Sequence, residues 1–249
     1  MSETIYLITG ANRGIGKGLL ETLAARPNTT VIAAVRDVSS ALTTFKSVPL
    51  ATNSKIITIK IDSTSETDPA TAVSELATTH HITKLDVLIS NAGLLESDAI
   101  VPVLESSPDA VRRHFEVNTI APFLLFKAFH PLLLESSHPR FFTLTSILGS
   151  IGSMENYNAP FFSYGVSKSA ANFLVRKIAC EVPEIITVAF NPGWVKTDMG
   201  NDAARVVGMV EAPVEFGDSI RDLLKLFDGA TKGQSGTFLE AATGAVIPW

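Results

Sequence analysis

Seven short apolar or β-branched runs punctuate the chain, at residues 5–8, 30–35, 56–61, 87–90, 141–145, 186–190 and 237–239. Runs of this length and composition predict strands. Between most of them lie longer segments with apolar positions at helical spacing, 15–25, 69–79, 108–134 and 164–180, which predict helices. Alternating strand and helix predicts an α/β fold, a doubly wound parallel sheet of Rossmann type with right-handed crossovers and helices on both faces. Ile56-Ile57-Thr58-Ile59 lacks an inside–outside alternation, as expected of a strand covered on both sides. No repeat, low-complexity tract or linker divides the sequence, so 1–249 reads as a single domain. Two stretches, 147–163 and 198–212, follow predicted strands and lack a clear period. In open α/β sheets, ligands bind beyond the carboxyl ends of the strands.

Composition narrows the function classes. The chain is 46% hydrophobic and 18% charged with mean hydropathy +0.27, enough to bury a substantial core. No uninterrupted apolar run reaches the roughly 18 residues of a membrane span. The first residues show no basic segment followed by an apolar one, so no secretory signal is expected. A net charge of −5 argues against a nucleic-acid surface. The single cysteine, Cys180, leaves no intrachain disulfide and suits a reducing, cytoplasmic setting. Asn28-Thr29-Thr30 matches a glycosylation acceptor, which without a secretion signal is read as chance.

The first strand runs into TGANRGIG at 9–16, where Gly10, Gly14 and Gly16 precede a helical pattern beginning at Ile15. A strand, a glycine turn and a helix N-terminus bring free N–H groups and a partial positive charge to one spot, which suits a phosphate; a plain strand-to-helix turn is the alternative. Arg36 follows the second strand where a fold selecting NAD places an acidic residue. A guanidinium there suits a 2′-phosphate, with Arg13 as a second cation, so NADP(H) is the expected cofactor. The alternative is surface pairing of Arg36 with Asp37. Asp62 closes the third strand as an acceptor for an adenine amino group or as a turn residue. Asn91-Ala92-Gly93 closes the fourth, with small residues for close backbone approach and an amide able to bridge strand ends.

Tyr164 and Lys168 are four residues apart at the start of a predicted helix and emerge on one face. A nearby ammonium favours the phenolate, so Lys168 is expected to lower the phenol pKa toward neutrality for proton exchange with a carbonyl or alcohol. Ser146 ends the fifth strand and either binds a substrate carbonyl or caps the strand end. Asn118 sits within a helical pattern that asparagine disfavours; it faces solvent or holds a water leading to Lys168. Pro192-Gly193 turns the chain after the sixth strand, and Thr197 is in position to reach a nicotinamide carboxamide.

Taken together, these residues resemble the short-chain dehydrogenase/reductase family across essentially the whole chain and in family order. Residues 9–16 look like its TGxxxGxG loop, Asn91-Ala92-Gly93 like its NAG motif, and Pro192–Thr197 like its PG motif. Asn118, Ser146, Tyr164 and Lys168 match its catalytic tetrad. The resemblance implies that Tyr164 protonates a carbonyl and that Lys168 lowers its pKa and binds the nicotinamide ribose. It further implies that Ser146 orients the substrate and Asn118 anchors a proton relay. The cofactor would lie along Gly10, Asn12, Arg13, Gly14, Ile15, Gly16, Arg36, Asp62, Asn91, Ala92, Gly93, Tyr164, Lys168, Pro192, Gly193, Val195 and Thr197. GWVKTDMG and the ending IPW look closer to the fungal and insect carbonyl-reductase branch, and RPNTTVIAAVRD is similar to fungal ketoreductases of the norsolorinic acid type.

Eighteen positions separate Ser146 from Tyr164, longer than the family's usual interval. The extra residues, among them Met154, Asn156, Tyr157, Phe161 and Phe162, line the substrate mouth or cover a helix that the family uses to dimerise. Ser150 and Ser153 are thereby weaker candidates for the catalytic serine. Met199, Val206, Val207, Met209 and Val210 offer an apolar lid. His80, His81, His114, His130 and His138 lack partners at ligand spacing and read as solvated surface histidines; no metal site is expected. Cys180 reads as a packed thiol. The expectation is an NADPH-dependent reductase of an apolar, aromatic or polyketide-like ketone or aldehyde, acting as a homodimer or homotetramer without nucleic-acid or membrane partners. The alternatives are a non-catalytic NADP-binding regulator on the same fold and an alcohol dehydrogenase working in the oxidative direction.

Overall fold

The computed structural model describes residues 3–157 and 159–249. Seven strands, β1 (Thr4–Thr9), β2 (Thr29–Val35), β3 (Lys55–Lys60), β4 (Val87–Ser90), β5 (Arg140–Leu144), β6 (Ile186–Asn191) and β7 (Phe238–Glu240), form one sheet. Every pairing is parallel, in the order β3-β2-β1-β4-β5-β6-β7. The chain builds outward from β1 to β3, then returns so that β4 lies on the other side of β1. The crevice at that reversal, beyond the carboxyl ends of β1 and β4, is where doubly wound sheets hold their ligands.

Alternate residues of each strand feed two separate cores. Tyr6, Ile8, Val31 and Ala33 pack with Leu19, Leu20 and Leu23 of α1 (Gly14–Ala24) and with Ile220, Leu223, Leu224 and Phe227 of α8 (Phe216–Asp228). Ile5, Leu7, Ile32 and Ala34 face the other way, onto Leu76 of α3 (Asp68–Thr79) and Leu125, Phe126, Phe129 and Leu133 of α5 (Ala121–Leu134). Ile178 of α6 (Phe162–Glu181) joins that second core. Phe142, Phe190 and Phe227 interlock with centroids 4.7–5.4 Å apart. Full burial of a side chain of this size contributes about 2–3 kcal/mol.

Several sequence expectations need correction. The stretch 198–212 is not irregular throughout, because Thr197 caps α7 (Asp198–Val206) by accepting from Gly200 N at 3.1 Å. Two helices absent from the sequence expectations are present, α8 and the short α2 (Val38–Phe45). The segment 108–134 is not one regular helix. It comprises α4 (Pro108–Phe115), a π-helical turn at Glu116–Ile120, and α5. By length and composition Pro108–Leu134 would suffice to cross a membrane, but its apolar side supplies Leu125, Phe126, Phe129 and Leu133 to the core. Cys180 is exposed on the outer face of α6 rather than packed. His114 is fully buried rather than solvated, because its ring fills a gap between α4, the segment after β4 and α6.

Candidate active site

The glycine loop is built around two physical constraints. Gly10 leaves β1 with φ +65°, a region that costs a side-chain-bearing residue strain. A Cβ on Gly16 would sit 2.4 Å from both the Gly10 carbonyl oxygen and Asn91 Nδ2. Only a hydrogen fits there, and this is what lets the loop close against the end of β4. At the N-terminus of α1, Arg13 is the capping residue and makes no side-chain cap. The first-turn N–H groups, which have no intrahelical partner, are therefore available to an anion. Arg13 and Asn12 are exposed beside them, and Ile15 packs its side chain against the core. The uncapped helix end and the glycine cradle fit the phosphates of a dinucleotide.

Asn91 bridges the strand ends as its position suggested. Its Nδ2 donates to the carbonyl of Thr9 at 2.7 Å, and the Thr9 hydroxyl accepts from Asn91 N and Ala92 N at 3.0 Å. Gly93 lies against the opposite group, since a Cβ there would be 3.3 Å from Asn118 Oδ1 and 3.6 Å from Lys168 Nζ. Asp62 serves as a turn residue, its Oδ1 accepting from Thr64 N at 2.9 Å and from the Thr64 hydroxyl at 2.8 Å. It also lines a shallow recess with Thr9, Ser65, Ala92, Val117 and Pro122. Arg36 is exposed and forms no ion pair with Asp37 among the described residues. Asp37 instead caps α2 through Ser40 N at 3.1 Å, and that bond, with the Ser39 hydroxyl, holds its carboxyl below the ordinary range.

At the other side of the crevice, Ser146 follows β5 and its Oγ accepts from Leu148 N at 3.2 Å. The segment carrying it is braced from two directions. Ile147 N donates to Asn191 Oδ1 at 3.1 Å, Asn191 Nδ2 donates to Glu240 Oε2 at 2.7 Å, and Asn172 of α6 donates to the Gly149 carbonyl at 3.2 Å. Ser150 and Ser153 are buried in that bracing, with the Ser150 hydroxyl donating to the Pro248 carbonyl and accepting from Ser153 N.

Tyr164 and Lys168 rise together from the first turns of α6, with Lys168 Nζ 5.6 Å from the Tyr164 ring centroid. Lys168 is only 5% exposed and donates to the Leu144 carbonyl at 2.9 Å. Burial pulls its pKa down to about 8. Here the expected direction for the phenol is overturned: burial pushes Tyr164 up to about 12, opposed by hydrogen bonding with the Ser146 side chain. The low-dielectric surroundings disfavour the phenolate more than its polar neighbours favour it.

Asn118 occupies the π turn and neither faces solvent nor offers its amide hydrogens to a water. Its Oδ1 accepts from Leu94 N at 2.7 Å, and its Nδ2 donates to the Leu94 carbonyl and to Ser167 Oγ, each at 2.9 Å. Ser167 passes the chain on to the Tyr164 carbonyl at 2.7 Å. The side chain thus ties the end of β4 to the base of α6. Gly193 turns with φ +82°, the Pro192 carbonyl accepts from Ser219, and Val195 is buried. The Thr197 hydroxyl, expected at a carboxamide, is committed to capping α7, while its methyl lies 3.7 Å from where a Gly14 Cβ would be.

An apolar shell surrounds the phenol. Ile100, Phe161 and Ala203 form a buried cluster against which Leu95, Leu148, Tyr164, Trp194 and Val207 are only partly covered. Phe161 meets Trp194 edge to face at 6.1 Å. Of the extra residues before Tyr164, Phe161 therefore joins the site, while Met154 and Tyr157 are exposed. Of the apolar residues expected to form a lid, Val207 joins this shell and Val206, Met209 and Val210 remain exposed. His114, discounted on sequence, lies edge-on to Tyr164 at 6.5 Å; lacking ligand spacing, it left no signal of a role.

Known proteins resemble this chain in sequence and fold. The chain is 40% identical to the norsolorinic acid ketoreductase of Dothistroma septosporum over 251 residues, covering 99% of this chain and 93% of that protein. It is 38% identical to the norsolorinic acid ketoreductase of Aspergillus parasiticus, covering 99% and 92%. Among solved structures, the NADPH-bound carbonyl reductase from chicken fatty liver superposes with a TM-score of 0.84 at 28% identity, with 100% of both chains covered. The short chain dehydrogenase family profile matches residues 4–206. The protein belongs to the short-chain dehydrogenase/reductase family and is an oxidoreductase of the group that works with a nicotinamide cofactor.

Proposed function

We propose that the protein is an NADPH-dependent reductase of apolar, aromatic or polyketide-like ketones or aldehydes. The observation that carries this reading is the convergence of Ser146, Tyr164 and Lys168 beside a partly open apolar shell. When bound, the cofactor supplies a hydride to the carbonyl carbon. The glycine loop and the uncapped end of α1 hold its phosphates, and Arg36 with Arg13 takes the 2′-phosphate. Asp62 lies at the adenine end, and Asn91, Ala92, Gly93, Pro192, Gly193, Val195 and Thr197 flank the nicotinamide half. Ser146 donates a hydrogen bond to the substrate oxygen. Tyr164, held protonated by its raised pKa, gives the proton that the oxygen needs as charge builds on it. The Lys168 ammonium steadies the phenolate left behind. Leu95, Phe161, Trp194 and Val207 receive the hydrocarbon part of the substrate.

The direct test follows the loss of reduced-nicotinamide absorbance with NADPH and NADH separately against a panel of aromatic and aliphatic ketones. NADPH-dependent turnover of apolar carbonyls is expected. Tight NADPH binding without turnover of any carbonyl in the panel would favour the regulator on the same fold instead. Cofactor choice is tested at Arg36. Replacing the guanidinium with a carboxylate, Arg36→Asp, should raise KM for NADPH roughly 10–100-fold, the equivalent of one or two lost charge-assisted hydrogen bonds. KM for NADH should change little. Equal use of NADPH by the two forms would remove Arg36 from the binding site.

A further inference from the structure

We propose that His114 is a positioning residue for Tyr164, an inference that rests on reading Tyr164 as the proton donor. The ring is completely buried, and both nitrogens are used. Nε2 lies 3.3 Å from the backbone N of Glu96, and Nδ1 lies 2.8 Å from the Ala110 carbonyl oxygen. A backbone N–H can only donate and a carbonyl can only accept. The hydrogen therefore resides on Nδ1, and Nε2 accepts. With a donor facing Nε2 and an acceptor facing Nδ1, the ring is set in one tautomer and one orientation.

Those bonds fix the ring between two elements. Ala110 belongs to α4, one turn before His114, and Glu96 lies in the segment after β4. Glu96 is itself tied to the neighbouring residue of α4, its carboxylate accepting from Arg113 Nε and Nη2 at 2.9–3.1 Å. The same carboxylate stands 3.9 Å from His114 Nδ1, and no other charged side chain pairs with the ring among the described residues. So secured, the imidazole meets the Tyr164 ring in a T-shaped pair, with planes 84° apart and centroids separated by 6.5 Å. The phenol ring rests against a wall that cannot rotate, and its hydroxyl is kept on the side of Ser146. Neither imidazole nitrogen is available for proton transfer, so His114 acts through the tyrosine. Displacing a catalytic group by about 1 Å can cost roughly 100-fold in rate.

The test compares His114→Leu, which removes the pin, with His114→Gln, whose amide oxygen can still accept from Glu96 N. In the first, kcat per NADPH-binding site should fall roughly 10–100-fold with the NADPH dissociation constant within about twofold of wild type. In the second, kcat should return to within about threefold of wild type. A crystal structure of each variant reads position without needing turnover: the phenol oxygen should leave Ser146 in H114L and remain beside it in H114Q. Should H114L not accumulate as a folded protein, H114F replaces it, because it also loses both hydrogen bonds. A phenol still seated at Ser146 with unchanged kcat per site overturns the proposal, as does equal impairment in the pinned and unpinned variants. If the wild type reduces no carbonyl, the proposed function fails, and the phenol position in the crystal structures alone decides the role of His114.

Discussion

Tyr164→Phe should reduce carbonyl turnover by roughly 10²–10⁴-fold, the range that a positioned general acid supplies. The substitution deletes one oxygen and keeps the ring that packs with Phe161, Leu148 and Trp194. Fold and cofactor affinity should therefore persist, with the NADPH dissociation constant within about threefold of wild type. The physical reason for so large a loss lies in the protonation state. A phenol raised to about 12 by burial is almost wholly protonated near neutrality, as a donor must be before hydride transfer begins. As the substrate oxygen gains negative charge, its proton affinity rises past that of the phenol and the transfer becomes favourable. Without the hydroxyl, only Ser146 remains to stabilise that charge. Turnover measured beside NADPH binding checks the prediction, and a variant within tenfold of wild type would assign the proton to another donor.

Lys168→Met should separate activity from stability in opposite directions. Loss of the ammonium that steadies the phenolate should lower turnover by roughly 10²–10³-fold. Yet the wild-type ammonium is poorly accommodated: its pKa falls from 10.5 to about 8 through burial, equivalent to roughly 3 kcal/mol against the charged form. The thioether removes that penalty and loses the bond to the Leu144 carbonyl, which is worth about 1 kcal/mol. The variant should therefore be more stable by roughly 1–2 kcal/mol at neutral pH, raising Tm by a few degrees. The pH dependence follows from linkage. Between about 8 and 10.5 the unfolded chain binds the lysine proton and the native chain does not, so the wild type gains stability as pH rises through that window. The variant should lack this gain, and wild-type reduction should weaken above pH of about 8 as the ammonium is lost. Thermal unfolding of both forms across that range, together with initial rates, measures both effects. A less stable variant would show that the buried charge is better solvated than its surroundings suggest.

All seven strands are legible in the sequence because each holds a short apolar or β-branched run. Most are buried on both faces, but β3 at the sheet edge is not. There Ile57 and Ile59 are buried while Ile56 and Thr58 are half-buried, so the expectation of full cover on both sides fails. Helices α1, α3 and α6 follow from their apolar spacing. Helix α8 also carried a signal, with Phe216, Ile220, Leu223, Leu224 and Phe227 at helical intervals. Helix α2 did not: it is eight residues long and rich in serine and threonine, which favour caps and turns over helix interiors. Motif residues arrive in the crevice because strand ends fix their positions, as with Asn91 and Ser146. Their electrostatics are less legible. The Tyr164–Lys168 spacing shows that the two share a helix face, but the balance between burial and charge depends on what Leu95, Leu148 and Trp194 cover. His114 shows the same limit, since its neighbours Glu96 and Tyr164 come from other parts of the chain.

The π turn at Glu116–Ile120 has a consequence for how length can vary along this chain. An α-helix advances about 100° per residue, and a π turn accommodates an extra residue without breaking the helix. Removing one residue from this turn would restore a regular helix with α4 and α5 in nearly their present phase, because the wider π turn spends one residue more than an α turn to sweep about the same angle. Removing one from α4 or α5 would instead turn the two by about 100°, and the core contacts of Phe126 and Phe129 could then be kept only by swinging His114 and Ala110 away from α6. The regular turns on either side thus behave as gear teeth, free to change in residue type but not in count. The π turn, by contrast, is a place where a residue can be lost without changing which faces meet the core, at the expense of where Asn118 sits.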